Sequence, residues 1–232
     1  MKKVMITMVA VLTLLLSNSF MLPNAPQEDV RKLNAFSGIG ISVSADVYYT
    51  PGDTHEIRIE GDTKDVEDLI TEVKDGFLQV KYRSWKIRHS KVTLYITSKE
   101  LEAVKISGSA KFKAGEPVTT DEMNLAMSGS GSIQFEKLTA DEVDVSISGS
   151  GSLEMLNGGA DELDARISGS GKLNAETFEV SEFSASISGS GSVRITVKEE
   201  LETRISGSGK VYYHGTPRVN SFSSGSGKTV AL

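Results

Sequence analysis

Residues 142–153 read Glu-Val-Asp-Val-Ser-Ile-Ser-Gly-Ser-Gly-Ser-Leu, and the central tetrapeptide Ser-Gly-Ser-Gly occurs six times in the chain. The copies begin at Ser128, Ser148, Ser168, Ser188, Ser206 and Ser224, and a near-copy, Ser107-Gly108-Ser109-Ala110, precedes them. Counted from Ser107, consecutive starts are 21, 20, 20, 20, 18 and 18 residues apart. A repeat of about twenty residues predicts a solenoid, in which each coil buries its apolar face only against its neighbours.

Apolar and polar residues alternate on both sides of each tetrapeptide, which is the period of a β-strand with one buried face. Around the second copy, Val143, Val145 and Ile147 precede the motif, and Leu153 and Met155 follow it. The parity is kept across the motif, so its glycines fall on the inward positions and its serines on the outward ones. Each repeat is therefore either one long strand or two strands bent at a pair of glycines. The predicted corner glycines are Gly129, Gly131, Gly149, Gly151, Gly169, Gly171, Gly189, Gly191, Gly207 and Gly209.

These observations predict an all-β fold, a right-handed parallel β-helix of about 20-residue coils. The alternative is an antiparallel sandwich in which Ser-Gly-Ser-Gly forms hairpin loops. The constant spacing and the unbroken parity favour the β-helix.

The composition limits the classes of function. The 232 residues carry a formal net charge of -6, which disfavours a nucleic-acid partner. The chain has no cysteine, which excludes a disulfide framework, a zinc-thiolate site and a lipid attached to cysteine. We expect no cofactor.

The N-terminus has the pattern of a secretory signal peptide, which we place at residues 1–19. Two lysines are followed by an apolar run over residues 4–16 and then by small polar residues. This run is shorter than the roughly 20 residues of a membrane-spanning helix, the alternative interpretation. We therefore expect an exported chain without a membrane span in its mature part, located in the periplasm, on the outer surface or in the medium. A linker is predicted at residues 20–30.

The remaining residues, 31–232, are predicted to form one β-helical domain. Its regular repeats occupy residues 107–232, and residues 31–106 form irregular early coils and an N-terminal cap. In the irregular part, strands are predicted at residues 40–49, 56–60, 77–82 and 91–97, with a short helix at residues 63–70. Residues 37–40, Ser-Gly-Ile-Gly, are predicted to be a degenerate corner.

An acidic column is the first candidate site. Glu122, Glu142, Glu162 and Glu182 each stand six residues before a motif, and stacked carboxylates could hold Ca²⁺. The favoured interpretation is a solvated turn in which the side chains splay apart, so the acidic column is a candidate metal site only.

Charged and aromatic residues form the second group of candidates. Asp144 and Asp164 share one outward column, and Arg166 and Arg204 share the next, an arrangement that could face a sugar. Trp85, between cationic residues, is the best candidate for an exposed aromatic side chain that contacts a ligand. The alternative is that these charges only keep the protein soluble, and we predict no catalytic residue.

Several segments resemble one known family. They are similar to the secreted bacterial domain labelled "putative auto-transporter adhesin, head GIN domain". The segments are Phe36-Ser37-Gly38-Ile39, Asp46-Val47-Tyr48, the Asp-Gly-Phe-Leu-Gln-Val of residues 75–80 and the spaced Ile-Ser-Gly-Ser-Gly series. The resemblance covers residues 30–232 and implies a β-helical fold and export to the envelope of Bacteroidota-type cells. It implies no agreed catalytic residues.

The resulting functional hypothesis is a non-catalytic envelope or cell-surface module that presents a rigid β-helical surface to glycans or proteins. The alternative is a polysaccharide-active enzyme, a lyase or hydrolase, on a β-helix. Possible partners are a glycan, an envelope protein, or further copies of the chain in a closed homo-oligomer.

Overall fold

The computed structural model describes residues 27–84 and 88–232. Of these residues, about 70% lie in strands and 3% in a helix. The predicted fold class is confirmed, because parallel coils of about twenty residues form a solenoid of about six turns. The predicted signal peptide lies outside the described residues. No helix within the described ranges has the length and apolar character to cross a bilayer.

The elements in chain order are β1 Gln27–Lys32, β2 Gly38–Ile41, β3 Ala45–Pro51, β4 Glu56–Gly61, α1 Thr63–Asp68, β5 Leu69–Lys74, β6 Phe77–Tyr82, β7 Val92–Ser98, β8 Ala103–Gly108, β9 Lys111–Ala114, β10 Val118–Thr119, β11 Glu122–Gly129, β12 Ser132–Phe135, β13 Leu138–Thr139, β14 Glu142–Gly149, β15 Ser152–Met155, β16 Gly158–Gly169, β17 Lys172–Gly189, β18 Ser192–Gly207, β19 Lys210–His214, β20 Arg218–Gly225 and β21 Lys228–Ala231.

Each regular coil contributes to three walls of parallel strands. The first wall, before the glycine corner, stacks β6, β2, β8, β11, β14, β16, β17, β18 and β20 in that spatial order. The second wall, after the corner, stacks β7, β3, β9, β12, β15, β17, β18, β19 and β21. The long strands β16, β17 and β18 continue around the coil and so belong to more than one wall.

The third wall, which includes residues 158–160, was not predicted by the sequence analysis, which described only one or two strands in each repeat. Leu138, Gly158 and Phe178 pair in register in a short parallel ladder on this side. Leu138 and Phe178 are fully buried, so the third wall closes the core instead of only linking two strands.

The glycine corners decide between the two alternatives for the repeat. Each repeat contains two strands that are bent at the glycines. At the fourth corner, Gly189 has a φ of 120°, a conformation that L side chains rarely adopt. A Cβ on Gly189 would lie 2.5 Å from the carbonyl oxygen of Gly169 in the preceding coil. Ser190 N–H donates to that same carbonyl over 2.8 Å. The corner therefore needs glycine for both its conformation and its close stacking.

The core is a thin apolar column enclosed by the three walls. The inward residues before each corner stack as a ladder of Met127, Ile147, Ile167, Ile187 and Ile205, each at most 3% exposed. Such a column buries each side chain against the coils above and below, which explains why a chain of modest apolar content can be stable.

At the N-terminal end, the coils do not stack in the order in which they occur in the chain. The coil made of β2 and β3 lies between β6–β7 on one side and β8–β9 on the other. Antiparallel strands then close this end: β5 pairs with β6, β4 with β7, and β1 with β4. The expected cap is therefore present, and the predicted strands at residues 56–60, 77–82 and 91–97 and the short helix correspond to β4, β6, β7 and α1.

Two boundaries in this segment were wrong. Residues 37–40 are not a corner, because β2 includes Gly38 to Ile41; the corner lies at residues 42–45, between β2 and β3. Its sequence, Ser-Val-Ser-Ala, aligns with Ser107–Ala110 through the pairing of β2 with β8 and of β3 with β9. The predicted linker also ends earlier, because β1 begins at Gln27 and its backbone pairs with β4.

The C-terminal coil has polar groups where earlier coils have apolar ones. Ser221 and Thr229 take inward positions below Thr203, and the three hydroxyl groups lie 2.8–2.9 Å from one another. Mutual hydrogen bonds satisfy these groups at the end of the apolar column, where the last coil is exposed to solvent.

We expect Gly189→Ala to destabilise the protein by about 2–4 kcal/mol, because backbone strain and an overpacked contact each cost about 1–3 kcal/mol. The urea midpoint of unfolding, followed by circular dichroism, measures this change. The matched control is Gly115→Ala, where no atom lies within 4 Å of the added Cβ and φ is not in the left-handed region. Equal midpoints for the two variants would contradict the role assigned to the corner.

Candidate functional site

The outward face of the first wall carries three columns of side chains in strict register. The first column holds Phe77, Gly38, Ala103, Asn124, Asp144, Asp164, Ser184, Glu202 and Asn220. The second holds Gln79, Gly40, Lys105, Ala126, Ser146, Arg166, Ser186, Arg204 and Phe222. The third consists of the first serine of each motif, from Ser107 to Ser224.

The structure brings three of the four predicted sugar-facing residues together. Arg166 lies between the two carboxylates, with Nη1 3.6 Å from Asp144 Oδ1 and Nη2 4.0 Å from Asp164 Oδ2. Arg204 is two strands away and pairs with Glu202 over 2.6 Å. All of these groups stand on the solvent-facing side of the wall, so their charges are largely compensated by each other and by water.

The acidic column is also in register. Glu122, Glu142, Glu162, Glu182 and Glu200 pair strand by strand at the start of the first wall. Glu200 accepts a hydrogen bond from Arg218 over 2.7 Å. Across residues 27–84 and 88–232, no three carboxylate or histidine side chains are arranged to hold a metal ion.

Glu162, in the middle of the acidic column, has a pKa above its ordinary value. Burial is the largest cause, and the charges of Asp164, Glu142, Glu182 and Asp144 add to it. The column therefore stores repulsion at neutral pH, which its open position reduces but does not abolish.

A cleft of about 360 Å³ lies near the N-terminal end of the first wall, centred on Gly40. Three strands form it: β2 provides the floor, and β6 and β8 provide the two sides. Its lining residues are Gly40, Ser42, Phe77, Gln79, Val80, Lys81, Lys105 and Ser107. The middle strand presents only glycine outward at positions 38 and 40, so the longer side chains of its neighbours stand higher than its own surface.

The two glycines of β2 have different surroundings. A Cβ on Gly38 would lie 2.3 Å from the ring of Phe77, so the ring packs directly against the bare backbone. A Cβ on Gly40 would be 3.3 Å from the nearest ring atom, a tight but tolerable contact. Neither glycine has a φ in the left-handed region. Close approach of Phe77 thus explains Gly38, whereas the space above Gly40 remains open.

The cleft is positively charged. Lys105 Nζ lies 4.9 Å from the centroid of the Phe77 ring, a cation–π contact. Lys81 Nζ lies 3.4 Å from the amide oxygen of Gln79. Within the described residues, which include every Asp and Glu of the chain, no carboxylate lies within 4.0 Å of either ammonium group.

A buried charged cluster lies beside this cleft, in the cap. His89 Nδ1 lies 2.9 Å from Asp65 Oδ1, and Nε2 lies 3.2 Å from Asp68 Oδ2 and 2.9 Å from the Ser84 carbonyl oxygen. Because both ring nitrogens face acceptors, the imidazolium form satisfies the site best. The ring stacks on Tyr82 with centroids 3.5 Å apart, and Ser90 N–H donates to Asp65 Oδ2 over 3.0 Å.

In this cluster the pKa of His89 is raised and the pKa of Asp65 is lowered. Burial lowers the pKa of His89, but the Ser84 carbonyl and the carboxylates of Asp65 and Asp68 outweigh it, so the net shift is upward. Burial raises the pKa of Asp65, but hydrogen bonds from His89 and Ser90 and the charges of Lys64 and His89 outweigh it, so the net shift is downward. Burial and then the charges of Asp65 and Asp68 raise the pKa of Tyr82 to about 12.

Trp85 lies outside the described residues, so its position as a ligand contact stays a prediction. The sequence analysis missed the cleft over Gly40. The glycines at positions 38 and 40 were the available signal, but they were interpreted as a corner. The two lysines are 24 residues apart in sequence and meet only because β2 lies between β6 and β8.

Comparison with known proteins identifies relatives. The sequence profile of the family described as "Putative auto-transporter adhesin, head GIN domain" matches residues 35–217. The sequence has no match among curated proteins.

Solved structures share the fold. A putative adhesin from Bacteroides fragilis superposes with a TM-score of 0.84 at 22% identity, covering 90% of this chain and 98% of that one. A putative adhesin from Parabacteroides merdae has a TM-score of 0.72 at 26% identity, with coverage of 89% and 96%. A putative lipid binding protein from Parabacteroides distasonis has a TM-score of 0.74 at 24% identity, with the same coverage.

We expect Glu162→Gln to stabilise the protein at pH 7 by about 0.5 kcal/mol, the scale of exposed charge interactions. A carboxyl whose pKa is raised in the fold destabilises the native state where it is charged, so the gain should disappear near pH 4. Urea midpoints at the two pH values measure the effect, with Glu116→Gln as the control. A loss of stability at pH 7, or a midpoint raised by Ca²⁺ in wild type and not in Glu162→Gln, would contradict a purely repulsive column.

We expect His89→Gln to destabilise the protein by about 2 kcal/mol at pH 5.5, because a buried carboxylate loses a charged donor. The raised pKa of His89 means that its contribution is complete below about 6.5, the unfolded value, and is lost as the pH rises through the folded-state pKa. The lowered pKa of Asp65 means that its contribution is lost only as the pH falls below 3.8.

The difference between wild type and His89→Gln should therefore be largest between these limits and smaller at pH 9, as measured by urea midpoints. His214→Gln is the control, since that ring faces one carboxylate on the surface. A difference that is constant from pH 5.5 to 9 would show that His89 acts by packing alone.

Proposed function

The chain belongs to the head GIN domain family of putative auto-transporter adhesins, and from this premise we propose that it is an exported, non-catalytic adhesive module. Its place is the cell envelope or the outer surface, and its partners are glycans or proteins. The adhesive surface is the outward face of the first wall.

One observation carries this proposal: the outward columns of the first wall keep their register over the nine strands from β6 to β20. Eight strand spacings of about 4.8 Å make this face roughly 38 Å long. Because the backbone groups of each strand bond to both neighbours, the face is rigid and loses little conformational freedom on binding. Such a surface suits an extended partner that makes many weak contacts.

Small and polar side chains alternate with charges along this face. Ala126, Ser146 and Ser186 stand low in the second column, between the taller Lys105, Arg166 and Arg204. The result is a series of shallow clefts; the one lined by Lys105, Asn124, Ala126, Asp144, Ser146 and Arg166 has a volume of about 210 Å³. Clefts of this kind offer hydrogen bonds and shape to a chain lying across them.

The alternative, a polysaccharide-active enzyme, is less well supported. It needs carboxylates with room to act on a bound bond, in a groove that holds the substrate. Asp144 and Asp164 instead flank Arg166 on an open wall, and Glu202 pairs with Arg204. These pairings favour a surface that binds over one that cleaves.

Raising the floor of the first wall tests the proposal. We expect the triple variant Ala126→Gln, Ser146→Gln, Ser186→Gln to reduce binding of the purified mature protein to glycan arrays and to envelope or mucin preparations at least fivefold. The added side chains fill the low positions without changing charge.

The matched control is Ser132→Gln, Ser152→Gln, Ser192→Gln, which places the same bulk outward on the second wall. It should retain binding within twofold. Blank arrays and surfaces for wild type would overturn the adhesive role, and equal losses in the two triple variants would overturn the assignment to the first wall.

A further inference from the structure

We infer that the cleft over Gly40 is a binding site for an acidic sugar unit, a saccharide that carries a carboxylate. This inference rests on the proposed adhesive function and names a ligand class for one part of the first wall. The site is formed by Gly40 as floor, Lys81 and Gln79 on one side, and Lys105 with Ser107 on the other.

The floor is the first step of the argument. Glycine in a strand interior weakens the strand, and it often marks a place where a ligand or another chain approaches closely. Gly40 has no left-handed φ, so its conformation does not require glycine, and an added Cβ would meet the Phe77 ring at 3.3 Å, where the ring must give by a few tenths of an ångström. What glycine at position 40 does is leave an open space, with a volume at the lower end of the range for small-molecule sites.

The charge of the side walls is the second step. Lys81 and Lys105 stand on β6 and β8, two strands that are two spacings or about 9.6 Å apart, at positions offset by two residues along the wall, and both line one cleft. Neither has a carboxylate partner within the described part of the chain, although the protein has a net charge of -6. Of the neighbouring carboxylates, Glu102 accepts a hydrogen bond from Ser37 over 2.7 Å. Two unpaired ammonium groups in a partly enclosed site favour an anion.

The polar groups and the ring are the third step. Gln79 offers an amide, and Ser42 and Ser107 offer hydroxyls in the lining of the same cleft, which fits the hydroxyl groups of a sugar. Phe77 closes one end with an apolar surface against which the carbon-bound hydrogens of a sugar ring can pack. A free inorganic anion would use the lysines and leave these groups without a partner.

The surroundings favour a glycan over an anionic lipid. Beyond Lys105 the cleft adjoins the second, smaller one, whose polar lining groups are Asn124, Asp144, Ser146 and Arg166, so the next units of a linear chain find hydrogen-bond partners and a further cation. A lipid would need an apolar surface for its chains. The large exposed apolar residues of the described chain, Val30, Tyr48, Val219, Phe222, Val230 and Leu232, do not line the cleft.

Isothermal titration of the mature protein with hexagalacturonate and with its fully methyl-esterified form tests the inference, because esterification removes the charge of each carboxyl group and adds only a methyl group. We expect the acid to bind at least tenfold more tightly than the ester, and the affinity to fall as salt is raised. The double variant Lys81→Gln, Lys105→Gln should bind hexagalacturonate at least tenfold more weakly than wild type. The control double variant Lys111→Gln, Lys113→Gln removes the same charge from the second wall, and its affinity should fall less than twofold.

A variant that keeps both lysines gives an independent check. Gly40→Val fills the floor with a side chain that suits a strand; its Cβ alone would lie 3.3 Å from the Phe77 ring, which must give by a few tenths of an ångström for that atom. It should also lose at least tenfold, with wild-type circular dichroism and thermal midpoint showing that the fold is intact.

The outcomes separate this inference from the adhesive function. Binding of neutral glycans or proteins, in wild type or in the variants, leaves the adhesive module standing, whereas hexagalacturonate affinity that is unchanged in both variants overturns the acidic-sugar site. Equal affinity for acid and ester overturns it as well, as does binding to phosphatidylglycerol vesicles without binding to hexagalacturonate. Failure of wild type to bind any glycan or surface overturns the proposed function itself.

Discussion

The corners of successive coils stack so closely that a backbone carbonyl of one coil occupies the space a Cβ would need in the next. At Gly149, Gly169, Gly189 and Gly207 this distance is 2.5–2.6 Å, and each of these glycines has a φ between 108° and 120°. The same carbonyls accept the N–H groups of the following serines. One contact therefore sets the bend, the spacing and the register of the coils together. A slip of one residue would place a serine where the glycine now faces the carbonyl, and it would turn every side chain of the strand to the opposite face.

Register is what turns a repeated sequence into a surface. Once the corners are aligned, residues that share a position in the repeat become neighbours about 4.8 Å apart, whatever their chemistry. Glu142, Glu162 and Glu182 are brought together at a cost, as the raised pKa of Glu162 indicates. Asp144, Arg166 and Asp164 are brought together with a gain. The fold tolerates either outcome because the apolar column and the corners dominate its stability, which leaves the outward columns free to vary with the partner.

The regular coils were predictable from sequence because their long-range pairs are encoded by a local period. A spacing of twenty residues states that Val143 lies beside Leu163, and no other information is needed. The third wall was missed because its strands are short and a residue such as Gly158 carries no apolar signal, although Phe178 in the next coil does. The cap and the cleft were not predictable in this way. Lys81 and Lys105 belong to strands separated by β7 in sequence, and the coil between them, β2, comes from much earlier in the chain.

The inserted coil explains why a site arises at this end and not elsewhere. In the regular repeats, neighbouring strands have similar sequences, so side chains that are neighbours in a column tend to differ little in size. At β2 the outward residues of the neighbours differ from its own and from each other, and a strand with glycine outward is placed between two strands that carry lysine, glutamine and phenylalanine. The relief that results is deeper than the period alone would produce. The His89 cluster ties α1 to the chain that follows β6 and precedes β7, so the cap is held together just beyond the end of β6, one of the strands that line the cleft. In the proposed function, a break in the repeat would supply the specific recognition that a uniform wall lacks, while the uniform wall would supply the length over which weak contacts add.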